Sequence, residues 1–342
     1  MQELHPNRGW LSSVDYTLNF GLGTADTINR IQISWPDGSR QTVEHVPVDQ
    51  TLTIQQEEGQ PKEAQPLATP PLFSDVTNQA GITFQHQENN FCDFNNERLL
   101  PHSLTHEGPR MAVADVNQDG LEDFFIGGAA GQSGELYLQK SGASLSFTKG
   151  LGAVFSADQE KEDVAAAFFD ADGDGDQDLY VVSGGGQYPK SVHNQDRLYV
   201  NDGQGNFVKV ALPEITVNGS CVVAADFNGD SHIDIFVGTR SVVGAYGRSP
   251  DSYLLWNNGN GQLQKDTSAY AKPLQKLGMV TDAVWLPEAG ALAVVGEWMP
   301  ITFLTFTASN IQKREITNTA GWWNTITAAD LNNDGKLDLL AG

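Results

Sequence analysis

Apolar residues along most of this chain come in short runs that stop abruptly at acidic, glycine-rich stretches. MAVADV (111–116), AAAFFD (165–170) and CVVAAD (221–226) lead into such stretches, and DFFIGG, DLYVVSGG and DIFVGT lead out of them. Runs of this length, rich in β-branched and aromatic residues, read as strands, so each acidic stretch joins the two strands of a hairpin. A second strand pair follows each hairpin: LYLQKSGASLSFTK, LYVNDGQGNFVKV and YLLWNNGNGQLQKD. The tips of these pairs carry Asn, Asp and Gly, the residues that tolerate positive φ in tight turns. Four short strands therefore recur, with the acidic stretches opening at Asp115, Asp170, Asp226 and Asp330, 55, 56 and 104 residues apart. The last gap spans about two repeats. Midway through it, VTDAVWLPEAGALAVVGEWMP (280–300) keeps the strand pattern but carries Val284, Leu286, Glu288 and Leu292 at the loop positions in place of the Asp/Asn pattern of the other copies. The predicted fold class is all-β: a β-propeller of four-stranded blades, about five of them visible, preceded by a small β domain. In that domain Ile31, Ile33 and Trp35 alternate with Gln32 and Ser34, which predicts a half-buried strand ending in a Pro36-Asp37-Gly38 turn, and Leu52 and Ile54 are expected to begin another.

The acidic stretches carry the chemistry. In FFDADGDGDQDLYVVSGG (168–185), Asp170, Asp172, Asp174, Asp176 and Asp178 occupy every second position. Two carboxylates ~5 Å apart repel by roughly 3 kcal/mol at an effective dielectric near 20, so five need solvent or a cation. The other copies repeat the register at relative positions 1, 3, 5, 7 and 9. They use Asp115, Asn117, Asp119, the Leu121 carbonyl and Asp123; Asp226, Asn228, Asp230, the His232 carbonyl and Asp234; and Asp330, Asn332, Asp334, the Lys336 carbonyl and Asp338. Oxygen donors at alternate positions of a short loop suit Ca²⁺, which takes six to eight oxygens. Glycine at position 6 (Gly120, Gly175, Gly335) permits the bend, and Ser231 replaces it in the third copy. These are not EF-hands: position 12 holds Ile126, Val181, Val237 and Ala341 instead of glutamate, and the flanks are strands. Up to four calcium sites are expected, with the metal supporting the fold of loops too charged to hold their shape alone.

Composition narrows the partners. With 43 acidic and 20 basic residues, the net charge is −23, which disfavours nucleic acid. No run of about 18 apolar residues suggests a spanning helix, and MQELHPNRGWL does not read as a signal peptide. Cys92 and Cys221 form no zinc or disulfide framework; two buried thiols are the expected state, a Cys92–Cys221 bridge the alternative.

The loops and their apolar-glycine tails, FIGG, VVSGG, FVGT and VVGEW, resemble the FG-GAP/VCBS repeats best known from integrin α-chain propellers. The resemblance covers roughly residues 72–342 and implies a propeller with calcium in hairpin loops on one face. FGLGTADTINRIQISWPDGSRQTVEHVPVDQTLTIQQ (20–56), marked by Phe20-Gly21-Leu22-Gly23 and Trp35-Pro36-Asp37-Gly38, resembles the ASPIC/UnbV domain of cartilage acidic protein and of many bacterial VCBS-repeat proteins. The expected organisation is an ASPIC/UnbV-like domain over 1–58, a proline-rich linker over 59–71 and propeller repeats over 72–342, the whole a piece of a longer polypeptide cut within both end domains.

Other candidates are weaker. His86, His102 and His106 lack a metal-binding spacing and are expected to be structural, a functional cluster with Glu88 or Asp93 being the alternative. Trp256, Trp285, Trp298, Trp322 and Trp323 are expected to pack between sheets, with stacking platforms for sugars as the alternative. Tyr246 and Arg248 in the 240–253 loop, and the 184–196 loop, are the best surface candidates. No nucleophile elbow, phosphate-cradling loop or triad appears. The function expected from the resemblance is a non-catalytic, calcium-binding, secreted or cell-surface propeller that binds a protein or glycan ligand, as in adhesion. A carbohydrate-active enzyme resembling polysaccharide lyases, or an accessory of an outer-membrane nutrient importer, is the alternative.

Overall fold

The computed structural model describes residues 2–4, 13, 15–56, 72–189 and 191–342. The contacts divide the chain into two units, Met1–Asp75 and Val76–Gly342. The expected linker at 59–71 lies outside the described residues.

In the first unit, β1 (Thr27–Ser34) and β2 (Arg40–Pro47) form an antiparallel hairpin with Ile31 opposite Val43 and Ser34 opposite Arg40. Ile31, Ile33 and Trp35 sit half-buried between exposed neighbours, as their alternation predicts. The turn is held by Asp37, whose Oδ1 accepts the Ser39 N–H (3.0 Å) and hydroxyl (2.7 Å), while Gly38 takes φ +84°. The strand expected to begin at Leu52 and Ile54 does not form. Residues 51–56 have no pairing partner among the described residues, and Leu52 is exposed.

The second unit contains the repeats. Sheet one is β3 (Met111–Ala114), β4 (Asp123–Ile126), β5 (Glu135–Gln139) and β6 (Phe147–Lys149). Sheet two is β7 (Glu162–Phe169), β8 (Asp178–Gly184), β9 (Arg197–Val200) and β10 (Val208–Val210). Sheet three is β11 (Asn218–Ala225), β12 (Asp234–Ser241), β13 (Tyr253–Asn257) and β14 (Leu263–Lys265). Sheet four is β15 (Met279–Leu286), β16 (Ala291–Met299), β17 (Thr302–Phe306) and β18 (Ile311–Glu315), with β19 (Gly321–Trp322) added beside β16. A last hairpin joins β20 (Ile326–Ala329) to β21 (Asp338–Ala341). All pairings in these sheets are antiparallel and sequential, apart from β19 on β16, and no sheet closes on itself. The repeat that lacks the aspartate-rich loop keeps its hairpin: β15 and β16 turn through Pro287–Ala289, with Leu286 opposite Ala291.

The sheets stack side by side, with β3, β7, β11, β15 and β20 as successive neighbours. Strand alternation explains the stacking. Successive side chains on a strand face opposite ways, and in β8 both ways are covered. Leu179 and Val181 pack with Phe125 and Leu136 of sheet one, whereas Tyr180 and Val182 pack with Ile235, Val237 and Leu255 of sheet three. In the same way β12 gives Ile235 to sheet two and Phe236 to Val280, Leu292 and Val294 of sheet four. The apolar runs of β8 and β12 are therefore continuous because both faces of those blades are interior, whereas β3, whose Met111 and Val113 are exposed, is covered on one face only.

Candidate functional site

Each acidic loop folds by the same side-chain-to-backbone bonds. The position-1 carboxylate accepts the N–H of position 6: Gly120 on Asp115 (2.8 Å), Gly175 on Asp170 (3.0 Å), Ser231 on Asp226 (2.9 Å) and Gly335 on Asp330 (2.8 Å). Position 3 accepts from position 5, at Asn117, Asp172, Asn228 and Asn332. Position 5 accepts from position 7, at Asp119, Asp174, Asp230 and Asp334. Short polar side chains that bond the backbone two residues on are what make such a turn. Two residues per loop take positive φ. One is position 6 (Gly120, Gly175, Ser231, Gly335) and the other is position 4 (Gln118, Gly173, Gly229, Asn333), a requirement the sequence pattern did not suggest. Ser231 holds φ +72°, the geometry of its glycine counterparts. Left-handed backbone costs a non-glycine residue about 1–2 kcal/mol, partly offset by the greater entropy glycine loses on folding. Ser231→Gly is accordingly expected to stabilise the protein by about 0.5–1 kcal/mol, readable as a small rise in Tm; a lower Tm would contradict this account of the bend.

The donor set fits a hard divalent cation. Oxygens of Asp170, Asp172 and Asp174 lie within 4.8 Å of one another, a spread one ion with ligand distances of about 2.3–2.6 Å can bridge. In the other loops asparagine at position 3 leaves two carboxylates at positions 1 and 5, with the amide oxygen between them. Burial, reinforced by Asp174 and Asp178, pushes the Asp176 carboxyl up to about 7. Burial also raises Asp172, with Asp174 and Asp170 adding to it. Asp170, Asp172, Asp174, the position-7 carbonyl and Asp178 would hold Ca²⁺ here. Bound, the ion supplies positive charge to this group.

Position 9 has a second structural task. Asp123, Asp178 and Asp234 are each 0% exposed and stand at the first residue of β4, β8 and β12. One carboxylate oxygen takes the N–H of position 2: Val116 (3.1 Å), Ala171 (2.7 Å) and Phe227 (3.2 Å). The other takes the N–H at the end of the third strand: Gln139 (2.7 Å), Asn201 (2.8 Å) and Asn257 (2.9 Å). Asp338 makes the first of these bonds, to Leu331 (3.1 Å). Burial outweighs these bonds and lifts Asp178 to about 6 and Asp234 to about 7. Asn201 and Asn257 reach further, donating from Nδ2 to the carbonyls of Val116 (2.7 Å) and Ala171 (2.9 Å) in the loop of the preceding blade. The VN and WN of LYVN and LLWN thus tie the first two acidic loops to the next blade; their recurrence in the sequence was the available signal.

A different chemistry gathers at the other ends of the hairpins. Ala225 pairs with Asp234 at the loop end of β11 and β12, and Asn218 with Ser241 at the far end. Arg240 is therefore about 20 Å along the strand from its loop. There Glu297, with a side chain 0% exposed, accepts from Arg240 Nη2 (2.8 Å) and the Tyr246 hydroxyl, and its Oε1 lies 2.9 Å from His102 Nε2. Glu107 Oε1 takes Arg240 Nε (3.1 Å) and Nη2 (2.8 Å). Burial raises the Glu107 carboxyl against the pull of Arg240. Burial, with the bond to Glu297, raises the Tyr246 phenol to about 12. Above this network Trp298 and Trp322 lie 5.1 Å apart, centre to centre, and His102 lies 5.2 Å from Trp322. Trp298 Nε1 donates to the Tyr246 hydroxyl (3.1 Å).

The backbone aims Trp298 outward. It is the one exposed residue of β16, at 61%, and takes φ +57° at a register shift where Glu297 pairs with Trp322 and Met299 with Gly321. Such a conformation costs a bulky residue about 1–3 kcal/mol. Bulges of this kind redirect side chains. Trp298 and Trp322 thus depart from the expected core packing, whereas Trp285 packs on Phe227 and Phe306 and Trp256 on Tyr270, as expected.

The remaining candidates separate. His86 Nε2 is 2.7 Å from Glu88 Oε1, His106 is exposed, and residues 101–110 form no helix to align His102 with His106. Asp93 is buried and accepts from Ser103, Leu104 and Thr105 instead of joining a histidine. Arg248 is exposed. In the 184–196 loop, of which residue 190 lies outside the described residues, Tyr188 stacks on His193. Both cysteines are free; Cys221 is buried, which pushes its thiol up to about 12, but Cys92 is exposed, because it precedes the surface turn at Asp93–Asn95.

The ASPIC and UnbV family matches residues 1–61, and an FG-GAP-like repeat matches twice, over 115–181 and 170–237. No curated protein sequence matches. Among solved structures, the chain is similar to an Agrocybe aegerita lectin that recognises non-reducing terminal N-acetylglucosamine (15% identity, TM-score 0.47, 69% of this chain and 60% of that one). It is also similar to the Dos1 propeller (11%, 0.36, 64% and 60%) and to the V. cholerae biofilm matrix protein Bap1 (16%, 0.33, 68% and 34%). The chain thus spans less than two thirds of each. With repeats matched in sequence and built as stacked four-stranded sheets, this chain is an FG-GAP-repeat β-propeller protein with an ASPIC/UnbV domain.

Proposed function

We propose that the chain is a calcium-binding, non-catalytic propeller of the extracellular space or cell surface, acting in adhesion or in the binding of a protein or glycan ligand. The observation that supports it is the acidic loop, built four times with the same hydrogen bonds and oxygen donors at positions 1, 3 and 5. Cations in these loops would neutralise charge and fix the hairpin ends, leaving the opposite ends of the blades to make contacts. Calorimetric titration of metal-free protein tests this. The wild type is expected to take up as many as four Ca²⁺. Asp170→Asn/Asp172→Asn/Asp174→Asn, which keeps the oxygens that accept the Asp174 and Asp176 N–H groups and one of the two that Asp170 offers to Gly173 and Gly175, is expected to take up one fewer. No uptake at millimolar Ca²⁺, or unchanged stoichiometry in the variant, overturns the reading.

One observation favours the enzyme alternative: Tyr246, His102 and Arg240 converge on Glu297. A tyrosine that abstracts a proton needs a lowered pKa. Tyr246 is shifted the opposite way, to about 12, so binding is the better-supported role.

A further inference from the structure

We propose that Trp298 and Trp322, with Tyr246, His102 and Glu107 at their base, form a carbohydrate-binding site for neutral glycans. The proposal rests on the binding role above and supplies its location and ligand class. Two indole side chains stand side by side in solvent, 61% and 38% exposed, on a unit that buries most of its aromatics between blades. They do not stand there loosely. Trp298 is locked at a bulge in left-handed backbone and hydrogen-bonded to Tyr246, and Tyr246 is anchored on fully buried Glu297. Strained backbone persists where the surroundings over-determine it, and such positions cluster at ligand sites. Rigid aromatic faces with a few fixed polar groups beside them are how binding sites gain orientation at small entropic cost.

The chemistry selects the ligand. A pyranose ring presents an apolar C–H face, which covers an indole, and hydroxyls around its edge, which need polar partners. Glu107, one-fifth exposed and within electrostatic reach of His102, offers a carboxylate that could accept from such a hydroxyl. Acidic sugars fit poorly. The Arg240 guanidinium is buried and already bonded to Glu107 and Glu297, so it is not available to a ligand carboxylate. Aromatic stacking alone would also suit an apolar protein surface; a charged, hydrogen-bonded base beneath the indoles favours a hydroxyl-rich ligand. A cavity of about 310 Å³, within the range of small-ligand sites, is lined by Asp93, Glu97 and Gly186 among others. Glu97 also accepts the Tyr246 N–H, linking that cavity to the aromatic site.

The test uses the full chain with calcium and a panel of neutral oligosaccharides (β-glucan, mannan, galactan and chitin fragments) beside oligouronates, read by tryptophan fluorescence and calorimetry. At least one neutral oligosaccharide is expected to bind. Trp298→Gly keeps the left-handed backbone that glycine accepts, so it is expected to weaken binding tenfold or more with Tm unchanged or higher. Trp322→Ala, an independent second variant, is expected to weaken it similarly. The proposal is overturned if no neutral oligosaccharide binds at millimolar concentration, if only uronates or a protein ligand bind, or if both variants bind as the wild type does. Calcium stoichiometry on the same samples separates the two ideas: four-site uptake without glycan binding defeats this site alone, and glycan binding without calcium uptake defeats the metal reading alone.

Discussion

Removing calcium is expected to lower the Tm of the repeat unit by more than 10 °C, the largest effect foreseen for this protein. One site at a hundredfold excess of calcium over its dissociation constant adds about 2.7 kcal/mol of stability. For a unit of this size each kcal/mol moves Tm by about 2–4 °C, so two linked sites suffice. Magnesium should protect less, because it demands a tighter octahedral shell and releases its water reluctantly. The pH dependence carries a sign. Without metal, Asp176 and Asp234 are pushed up to about 7 and Asp178 to about 6, against an unfolded value of 3.8. Raised folded pKa values give stability that is present below the unfolded value and lost as pH rises through 6–7. In chelator, then, Tm should fall between about pH 4 and pH 8. In saturating calcium, which binds the ionised carboxylates, that fall should flatten or reverse. Coincident melting curves in chelator and in millimolar calcium would sink the structural role of the metal.

The hairpins, the blade order and the repeat at 280–300 without an aspartate-rich loop were legible because each rests on local pattern. Asp and Gly mark the bends, and continuous apolar runs mark strands covered on both faces. Trp35-Pro36-Asp37-Gly38 was legible for the same reason: Asp37 and Gly38 complete the turn within four residues. The aromatic site was not. Its parts lie at 102, 107, 240, 246, 297–298 and 322, and only the stacking of blades and the segment before β3 bring them together. Tyr246 was singled out from its loop, but nothing local shows that its partner would be Glu297. The one available signal was Glu297 itself, a charge at the end of the apolar run ALAVVGE, which a buried strand tolerates only with partners. Position 9 shows the limit from another direction. Its aspartates match the ligand spacing, yet their backbone bonds to the third strand depend on blade geometry that spacing does not contain.

Arg197→Met is expected to destabilise the protein by about 3–5 kcal/mol, because it breaks a buried charge pair and leaves the acid behind. Arg197 is 3% exposed, with Nη2 2.8 Å from Asp163 Oδ1 and 3.0 Å from the Ser183 hydroxyl. Burial alone would favour discharging the guanidinium, but Asp163 and Asp158 outweigh it and hold the charge. Asp196, the next residue back, is buried too, which raises its carboxyl to about 6 even as Ser183, Tyr180 and Arg197 pull it down. Removing Arg197 therefore strips the cation from beside several acids in the interior of sheet two. Methionine fills much of the volume, so the loss measured is one of charge more than of packing. The pair can be removed together. Asp163 Oδ2 also accepts the Gly128 N–H (2.9 Å), and asparagine keeps an acceptor there, so Arg197→Met/Asp163→Asn should recover most of the loss. Denaturant melts of the wild type, both single variants and the double variant give the coupling energy directly. A single variant within about 1 kcal/mol of the wild type, or a double variant no better than Arg197→Met, would mean that this ion pair does not secure the blade.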